Sequence, residues 1–314
     1  MIIINLILFL IFLAVSIKAA DYSIKHASKI AKSLKFPEFI VSFFVIAIIS
    51  CLPEAIISII SAFNHIPELG LGTLLGSNVA DLTLVFGIVA LTSFNGIKVK
   101  SKILRNNLFY LILLVFPLLL GLDGKFSRLD GLILIILGLI FFYRTYEESK
   151  KFHKKFKDGK REPILKSFIL LVLGVGILIF CSQLTVNYAK NLVIETKIPE
   201  ILVGITLIAF GTCLPELIFS IKAVKSNHDE LALGDILGTV ITDATIILGL
   251  VALISPFSYN INNIYILGGG MFLAGICVIT FMNSDKTISK IEGLLLILLY
   301  VFFIILESLI TNVL

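Results

Sequence analysis

The sequence has few charged residues. Of its 314 residues, 15% are Asp, Glu, Lys or Arg and 58% are apolar, whereas a typical soluble domain has about 25% charged residues. The mean hydropathy is +1.06. This composition excludes an ordinary soluble domain and indicates an integral membrane protein.

Cysteines and catalytic motifs are also scarce. The four cysteines, at positions 51, 181, 213 and 277, all fall inside apolar stretches, so they provide no disulfide framework. The sequence has no nucleotide-binding motif and no paired nucleophile and base. It therefore predicts no enzymatic activity, no cofactor and no nucleic-acid partner. Membrane lipid is the expected surrounding.

Long apolar runs make up most of the chain. A run of about 20 apolar residues predicts a membrane-spanning helix, and nothing outside such runs is long enough for a soluble domain. The predicted fold is an all-α membrane protein of about ten spans, at residues 2–24, 39–63, 70–94, 104–121, 128–145, 164–189, 200–222, 231–254, 260–282 and 290–312.

Positive charge is unevenly distributed between the two sides of this layout. If the polar linker 146–163 is cytoplasmic, 22 of the 26 Lys and Arg residues lie on that side. Cytoplasmic loops carry such an excess, so we expect both termini outside the cell membrane. The basic linker could also bind anionic lipid. It separates a first half, 1–145, from a second half, 164–314.

The two halves contain an internal repeat. Shifted by 162 residues, segment 37–94 aligns without a gap with segment 199–256, and 25 of 58 positions are identical. The identities include Pro, Glu, Asp and Gly, which chance similarity between apolar helices would not match. Five spans separate the two starts, and an odd number inverts one copy relative to the other. Two inverted five-helix repeats are an architecture of secondary transporters.

Each repeat places a proline and a glutamate inside a span, as Pro53-Glu54 and Pro215-Glu216. Proline removes a backbone donor and frees the carbonyl four residues earlier. Acids at membrane depth are rare and usually functional. We therefore expect helices 2 and 7 to be broken at the core, where the two glutamates hold a cation.

The following span of each repeat carries a hydroxyl and an acid four residues apart. These are Ser77 with Asp81 and Thr239 with Asp243, and a spacing of four puts both side chains on one helix face. Glycines at the same spacing precede the acids and allow close helix packing. The acids are thus expected to lie near the glutamates.

These paired motifs resemble the α-repeats of the calcium/cation antiporter superfamily, which includes the prokaryotic sodium/calcium exchangers. The resemblance rests on Ile49 to Glu54 with Leu71 to Asp81, and on Gly211 to Glu216 with Leu233 to Asp243. It extends over essentially the whole chain.

The resemblance implies a ten-helix antiporter with four central cation sites, in which spans 1 and 6 slide across a rigid core. Glu54 and Glu216 would be shared by Ca²⁺ and Na⁺, with Asp81 and Asp243 at the other corners. The implied remaining ligands are the carbonyls of Ala47 and Ala209 and the hydroxyls of Ser50, Ser77, Thr212 and Thr239. A monomer would suffice for transport, and the resemblance leaves the oligomeric state open.

Several positions differ from the family pattern. Cys51 and Cys213 stand where Ser is usual, Ile49 where Gly is usual, and Asp81 where sodium/calcium exchangers often have Asn. Thr73 and Asp235 also replace Asn. The leading hypothesis is export of Ca²⁺ in exchange for Na⁺. Proton coupling, a softer divalent ion such as Mn²⁺ held with the help of thiols, and a cation channel remain alternatives.

Overall fold

The structure is a computed structural model that describes residues 2–33, 47–99, 108–149, 164–196, 200–284 and 286–310. The start of the first repeat, residues 100–107 between spans 3 and 4, and most of the predicted linker lie outside these ranges.

The described helices form ten rods, named here α1 to α10, that coincide with the ten predicted spans. The continuous rods are α1 (Ile2–Ser33), α4 (Leu108–Leu120), α5 (Arg128–Ser149), α6 (Ile164–Thr196), α9 (Ile261–Ser284) and α10 (Lys290–Ile310). Seven helical stretches of the described chain are long and apolar enough to cross a membrane, and shorter apolar helices lie in α2 and α4. The protein is an all-α, multi-pass membrane protein.

The other four rods belong to the repeats and are interrupted. Rod α2 consists of Ala47–Ser50 and Leu52–Phe63; α3 of Pro67–Ala80, Asp81–Val85 and Phe86–Thr92; α7 of Glu200–Val203, Gly204–Ile208, Ala209–Thr212 and Leu214–Lys225; and α8 of Asp229–Ile241, Thr242–Ile247 and Leu248–Ile254.

The predicted breaks in helices 2 and 7 are confirmed. Regular helix stops at Cys51 and at Cys213, and in both rods it resumes with proline as the second residue. Proline fits this position because the first helical N–H groups have no intrahelical partner. The π-helical turns at Asp81–Val85, Gly204–Ile208 and Thr242–Ile247 were not predicted from the sequence. Such turns are frequent at functional sites.

The two halves interlock as an inverted pair. Rod α3 packs on α10 while α5 packs on α8, α4 packs on α9, and α1 packs on α6. Exchanging the two halves therefore maps α3–α10 onto α8–α5, and it maps α4–α9 and α1–α6 onto themselves. This arrangement is the inverted repeat that the sequence predicted.

Two short antiparallel strand pairs join loops of opposite halves. Strand β1 (Ile97–Lys98), after α3, pairs with β4 (Thr287–Ile288), before α10. Strand β2 (Lys125–Phe126), before α5, pairs with β3 (Phe257–Ser258), after α8. Since β1 and β2 flank the single span α4, the two pairs lie on opposite faces of the protein.

The helices α1 and α6 differ in length from the prediction and form a separate layer. They end at Ser33 and Thr196 rather than near residues 24 and 189. A hydrophobic cluster that includes Phe9, Leu13 and Val186 joins them to the repeat helices, separately from the main core. Helix α5 also continues to Ser149, so residues 146–149 of the predicted linker are helical.

Close packing of α3 against α7 depends on glycine, as expected from the glycine spacing. A Cβ atom on Gly76 would lie 2.9 Å from Ile205 Cα and 3.2 Å from the Ala209 Cβ. Backbone atoms cannot move aside as a flexible side-chain end can, so this position requires glycine.

We predict that Gly76→Ala lowers the free energy of unfolding by about 1–3 kcal/mol through overpacking. Thermal unfolding of the purified protein in detergent measures the change. The control is Gly176→Ala on α6, since a Cβ there meets nothing within 4 Å. Equal stability of the Gly76 variant and the unmodified protein would contradict the packing role.

Candidate cation-binding site

Glu54 and Glu216 lie in the first turn of the half-helices that follow the two breaks. The N-terminus of a helix favours negative charge because its N–H groups point outward without partners. Both side chains are fully buried, and neither carboxylate has a hydrogen-bond partner within the described residues. Each glutamate is thus held at a favourable position without being neutralised.

Asp81 is the first residue of the π-helical turn in α3, and Asp243 is the second residue of the π-helical turn in α8. Both are fully buried, and their carboxylate oxygens have no hydrogen-bond partner in the described part of the chain. Asp243 interacts electrostatically with Asp81 and Glu216, and Glu54 interacts with Asp243 and Asp81. The structure therefore brings the four predicted acids into one region.

Positive charge is missing from this region. Among the described residues, none of the four acids forms a salt bridge. No three His, Cys, Asp or Glu side chains of the described ranges are arranged as ligands of a single metal ion. Burying an ionised carboxylate without compensation costs several kcal/mol, so this centre favours binding of a cation.

Neutral oxygens cluster where α2 meets α8. Ser50 Oγ lies 3.2 Å from the Ala47 carbonyl oxygen, and Thr239 Oγ1 donates to the same carbonyl at 3.3 Å. The two hydroxyl oxygens are 3.2 Å apart. Carbonyl and hydroxyl oxygens at this spacing are ligands of the kind that hard cations prefer. We call these atoms, together with the Asp235 carboxylate described next, the oxygen cluster.

Asp235 is a further acid that the sequence analysis noted as a departure but did not assign to the site. Its Oδ1 accepts a hydrogen bond of 2.9 Å from Ser50, and the side chain is fully buried. The spacing could have revealed it, because Asp235, Thr239 and Asp243 are each four residues apart on α8. A spacing of four places all three on one helix face.

The equivalent hydroxyls of the other half bond mainly within their own helix. Thr212 donates to the Ala209 carbonyl at 3.2 Å and Ser77 to the Leu74 carbonyl at 3.0 Å. Such local bonds are common for hydroxyls in helices. The predicted ligands Ala209, Thr212 and Ser77 are all buried, but they do not form a cluster like that around Ser50.

The two thiols act as hydrogen-bond donors. Cys51 Sγ lies 3.3 Å from the Ile48 carbonyl, and Cys213 Sγ lies 3.6 Å from the Ser77 carbonyl across the two repeats. Because the thiolate rather than the thiol binds metals, this arrangement is typical of packing thiols.

Comparison with known proteins agrees with this geometry. The model of the sodium/calcium exchanger protein family matches residues 4–146 and 166–309. The chain belongs to this family. As a family member it is a transporter, specifically a cation antiporter, and the family is not one of enzymes.

Relatives and solved structures align with most of the chain. The sodium/calcium exchanger MaX1 of Methanosarcina acetivorans is 26% identical, with 97% of this chain and 99% of the relative aligned. An uncharacterized membrane protein, MJ0091 of Methanocaldococcus jannaschii, is 32% identical over 75% of this chain and 77% of its own length. A structure of the sodium-calcium exchanger NCX_Mj superposes with a TM-score of 0.70 at 27% identity, covering 97% of this chain and 98% of that chain.

We predict that Ser50→Ala destabilises this exchanger-family protein more than Thr212→Val does. The first change removes the hydrogen bond to the buried Asp235 carboxylate, at a cost of about 1–3 kcal/mol, whereas Thr212 bonds its own helix. Thermal unfolding in detergent without added Na⁺ or Ca²⁺ compares the two variants. A larger loss for Thr212→Val would contradict the difference between the two halves.

Proposed function

We propose that the protein exports Ca²⁺ in exchange for Na⁺ by alternating access. The observation that carries the proposal is the pair of buried glutamates at facing helix breaks, Glu54 and Glu216, without hydrogen-bond partners among the described residues. A channel would not need the inverted repeat in which the pair lies, whereas an alternating-access carrier exchanges the conformations of two equivalent halves.

In this proposal Glu54 and Glu216 bind Ca²⁺ and Na⁺ in turn, while Asp81 and Asp243 complete the negative charge. Ca²⁺ takes six to eight oxygen ligands, so the carboxylates need neutral oxygens beside them. The carbonyls and hydroxyls assigned to this role are those of Ala47, Ala209, Ser50, Ser77, Thr212 and Thr239.

The relatives support Na⁺ as the coupling ion. MaX1 and NCX_Mj are both named sodium/calcium exchangers, and the NCX_Mj structures include one soaked with Na⁺ and Ca²⁺. Both proteins align with nearly the full length of this chain, so the support applies to the chain as a whole.

The observed hydrogen bonds also favour a hard cation over a softer one. The thiols of Cys51 and Cys213 donate to backbone carbonyls, whereas Mn²⁺ or another soft-site ion would gain little from a protonated thiol. Proton coupling remains the alternative for the driving ion, because the acids that could bind Na⁺ could also carry protons.

The proposed moving part is the α1 and α6 pair. These two helices pack chiefly on each other and contact the repeat helices through a hydrophobic cluster of their own. A layer that contacts the repeat helices through apolar side chains can shift sideways without breaking the oxygen ligands. We propose that its displacement opens the site to alternate sides.

We predict that proteoliposomes loaded with Na⁺ take up ⁴⁵Ca²⁺ when diluted into Na⁺-free buffer. A pH gradient without Na⁺ should drive less than about a tenth of this uptake, a factor that corresponds to about 1.4 kcal/mol. Glu54→Gln and Glu216→Gln should abolish uptake, since each removes a shared ligand charge.

The controls separate the alternatives. Both glutamine variants should elute as folded protein in size-exclusion chromatography. Uptake driven by the pH gradient alone would establish proton coupling in place of Na⁺. Uptake of Mn²⁺ but not Ca²⁺, or Ca²⁺ flux without any counter-ion, would replace the proposal with a soft-ion carrier or a channel.

We also propose the predicted topology, with 1–145 and 164–314 as inverted halves, the linker 146–163 in the cytoplasm and both termini outside. The support is the concentration of Lys and Arg on the linker side. The repeat inversion fixes only the relative orientation of the halves, so the absolute orientation depends on this charge asymmetry.

We predict that Asp123→Cys reacts with a membrane-impermeant maleimide in intact cells, whereas Lys155→Cys reacts after permeabilisation. Asp123 is exposed between α4 and α5, on the side opposite to the linker. The unmodified chain is the background control because three of its four cysteines are buried. The reverse labelling pattern would invert the topology.

A further inference from the structure

Helix α1 packs on the broken segment of α7 at a notch formed by Gly211. A Cβ atom on Gly211 would lie 2.8 Å from Leu13 Cδ2 and 3.5 Å from Ile17 Cδ1. The Leu13 side chain is only 4% exposed and belongs to the cluster that joins α1 and α6 to the repeat helices. Leu13 therefore occupies the space that a side chain at position 211 would fill.

The notch lies beside residues assigned to the cation site. Gly211 stands between Ala209 and Thr212, just before the break in α7. Pro215, four residues later, has no N–H to donate to the Gly211 carbonyl. Leu13 thus packs at the place where α7 is interrupted. A sideways movement of α1 over α7 has to break this contact.

The first repeat has no such notch. The position equivalent to Gly211, 162 residues earlier, is Ile49, and the position on α6 equivalent to Leu13 is Val175. The isoleucine side chain fills the space that glycine leaves open on α7. Both partners of the docking contact therefore differ between the two halves.

The two outer helices also pack differently on the broken rods. Helix α1 packs on both segments before the breaks, Ala47–Ser50 and Ala209–Thr212, whereas α6 packs mainly on Leu52–Phe63, after the break in α2. Ile179 on α6 is 48% exposed, while its equivalent on α1, Ile17, is partly buried against the apolar cluster. In the described conformation α1 is thus docked at the break in α7, and α6 packs beside the break in α2.

We propose that Leu13 positions α1 at Gly211 in one conformation of the transport cycle, and that Ile49 keeps α6 from docking as deeply in the opposite conformation. This inference rests on the proposed alternating access, in which two equivalent halves exchange conformations. The exchange replaces a filled notch by a contact between two branched side chains. Because the two conformations then differ in their contacts, they differ in free energy, and the described conformation is favoured.

This bias makes the two faces of the carrier unequal. The apparent affinity at each face is reduced by the fraction of the protein that is in the conformation open to that face. A carrier that rests mainly in one conformation therefore binds its ions more tightly at one face than at the other. The side chains at positions 13, 49 and 211 set this ratio without contacting the ions.

Spin-label distances between α1 and α7 test the proposal on purified protein, without transport. The labels are attached to Val15→Cys and Ile218→Cys, at exposed positions, in a Cys277→Ser background because the other three native cysteines are buried. One distance should dominate when the chain is otherwise unmodified. Ile49→Gly, which supplies the missing notch, should raise the population at a second distance at least about threefold.

Matched variants separate docking from a general loss of stability. Ile48→Gly makes the same substitution at the neighbouring, exposed position and should leave the distances unchanged. Gly211→Ile should displace Leu13 and populate the second distance, and Leu13→Ala added to that variant should restore the first distance by making room. Equal effects of Ile49→Gly and Ile48→Gly would overturn the proposal, and Ile49→Gly keeps the test valid if Gly211→Ile does not fold.

Transport kinetics give an independent readout. In proteoliposomes of uniform orientation, Ile49→Gly should change the ratio of the half-saturating Ca²⁺ concentrations at the two faces at least about threefold, with a smaller change in the maximal rate. An unchanged ratio would overturn the proposed bias. Absence of Ca²⁺ exchange in the unmodified protein would refute the proposed function, while the distance comparison would still decide whether α1 docks at Gly211.

Discussion

The need to neutralise buried carboxylates governs the centre of this molecule. Glu54, Glu216, Asp81, Asp243 and Asp235 are all fully buried, and no Lys or Arg of the described chain pairs with them. A buried carboxylate is neutralised either by a partner of opposite charge or by a proton. Because α2 and α7 are broken beside the glutamates, a helix N-terminus lies at each carboxylate and stabilises its negative charge. This stabilisation offsets only part of the free-energy cost of burying the carboxylates. In the proposed function, the remaining electrostatic cost is relieved when the site binds a cation or protons.

Inverted duplication determines how these charges meet. Each repeat supplies a broken helix followed by a helix with a π-helical turn. The main packing contacts between the halves come in equivalent pairs, such as α3 with α10 and α8 with α5. The symmetry is incomplete at the ligands. Ser50 bonds across to α8, while Thr212 bonds its own helix. One duplicated scaffold thus holds two chemically different sides, which allows a different ion preference on each.

Much of this arrangement could be predicted from the sequence because its signals are strong. The 162-residue repeat, the ten apolar runs and the Pro-Glu pairs predicted the fold, the breaks and the four acids. The part that could not be predicted depends on contacts between distant residues. Asp235 joins the site through Ser50, 185 positions away, and the two-residue strands are too short to show an alternating pattern. The ends of α1 and α6 were predicted too early because their polar last turns resemble loops.

The strand pairs have a mechanical consequence. Backbone hydrogen bonds join the two halves on both faces of the protein, between β1 and β4 on one face and between β2 and β3 on the other. Because the two halves are joined on both faces of the protein, the strand pairs resist rotation of one half against the other. In the proposed mechanism, movement is then confined to the outer layer, where α6 exposes Phe168, Val172 and Phe180 on the surface of the protein. Exposed apolar side chains on a spanning helix are suited to hydrocarbon, so the proposed movement of this layer would displace lipid. The viscosity and thickness of the bilayer would then become part of the resistance to the proposed transport.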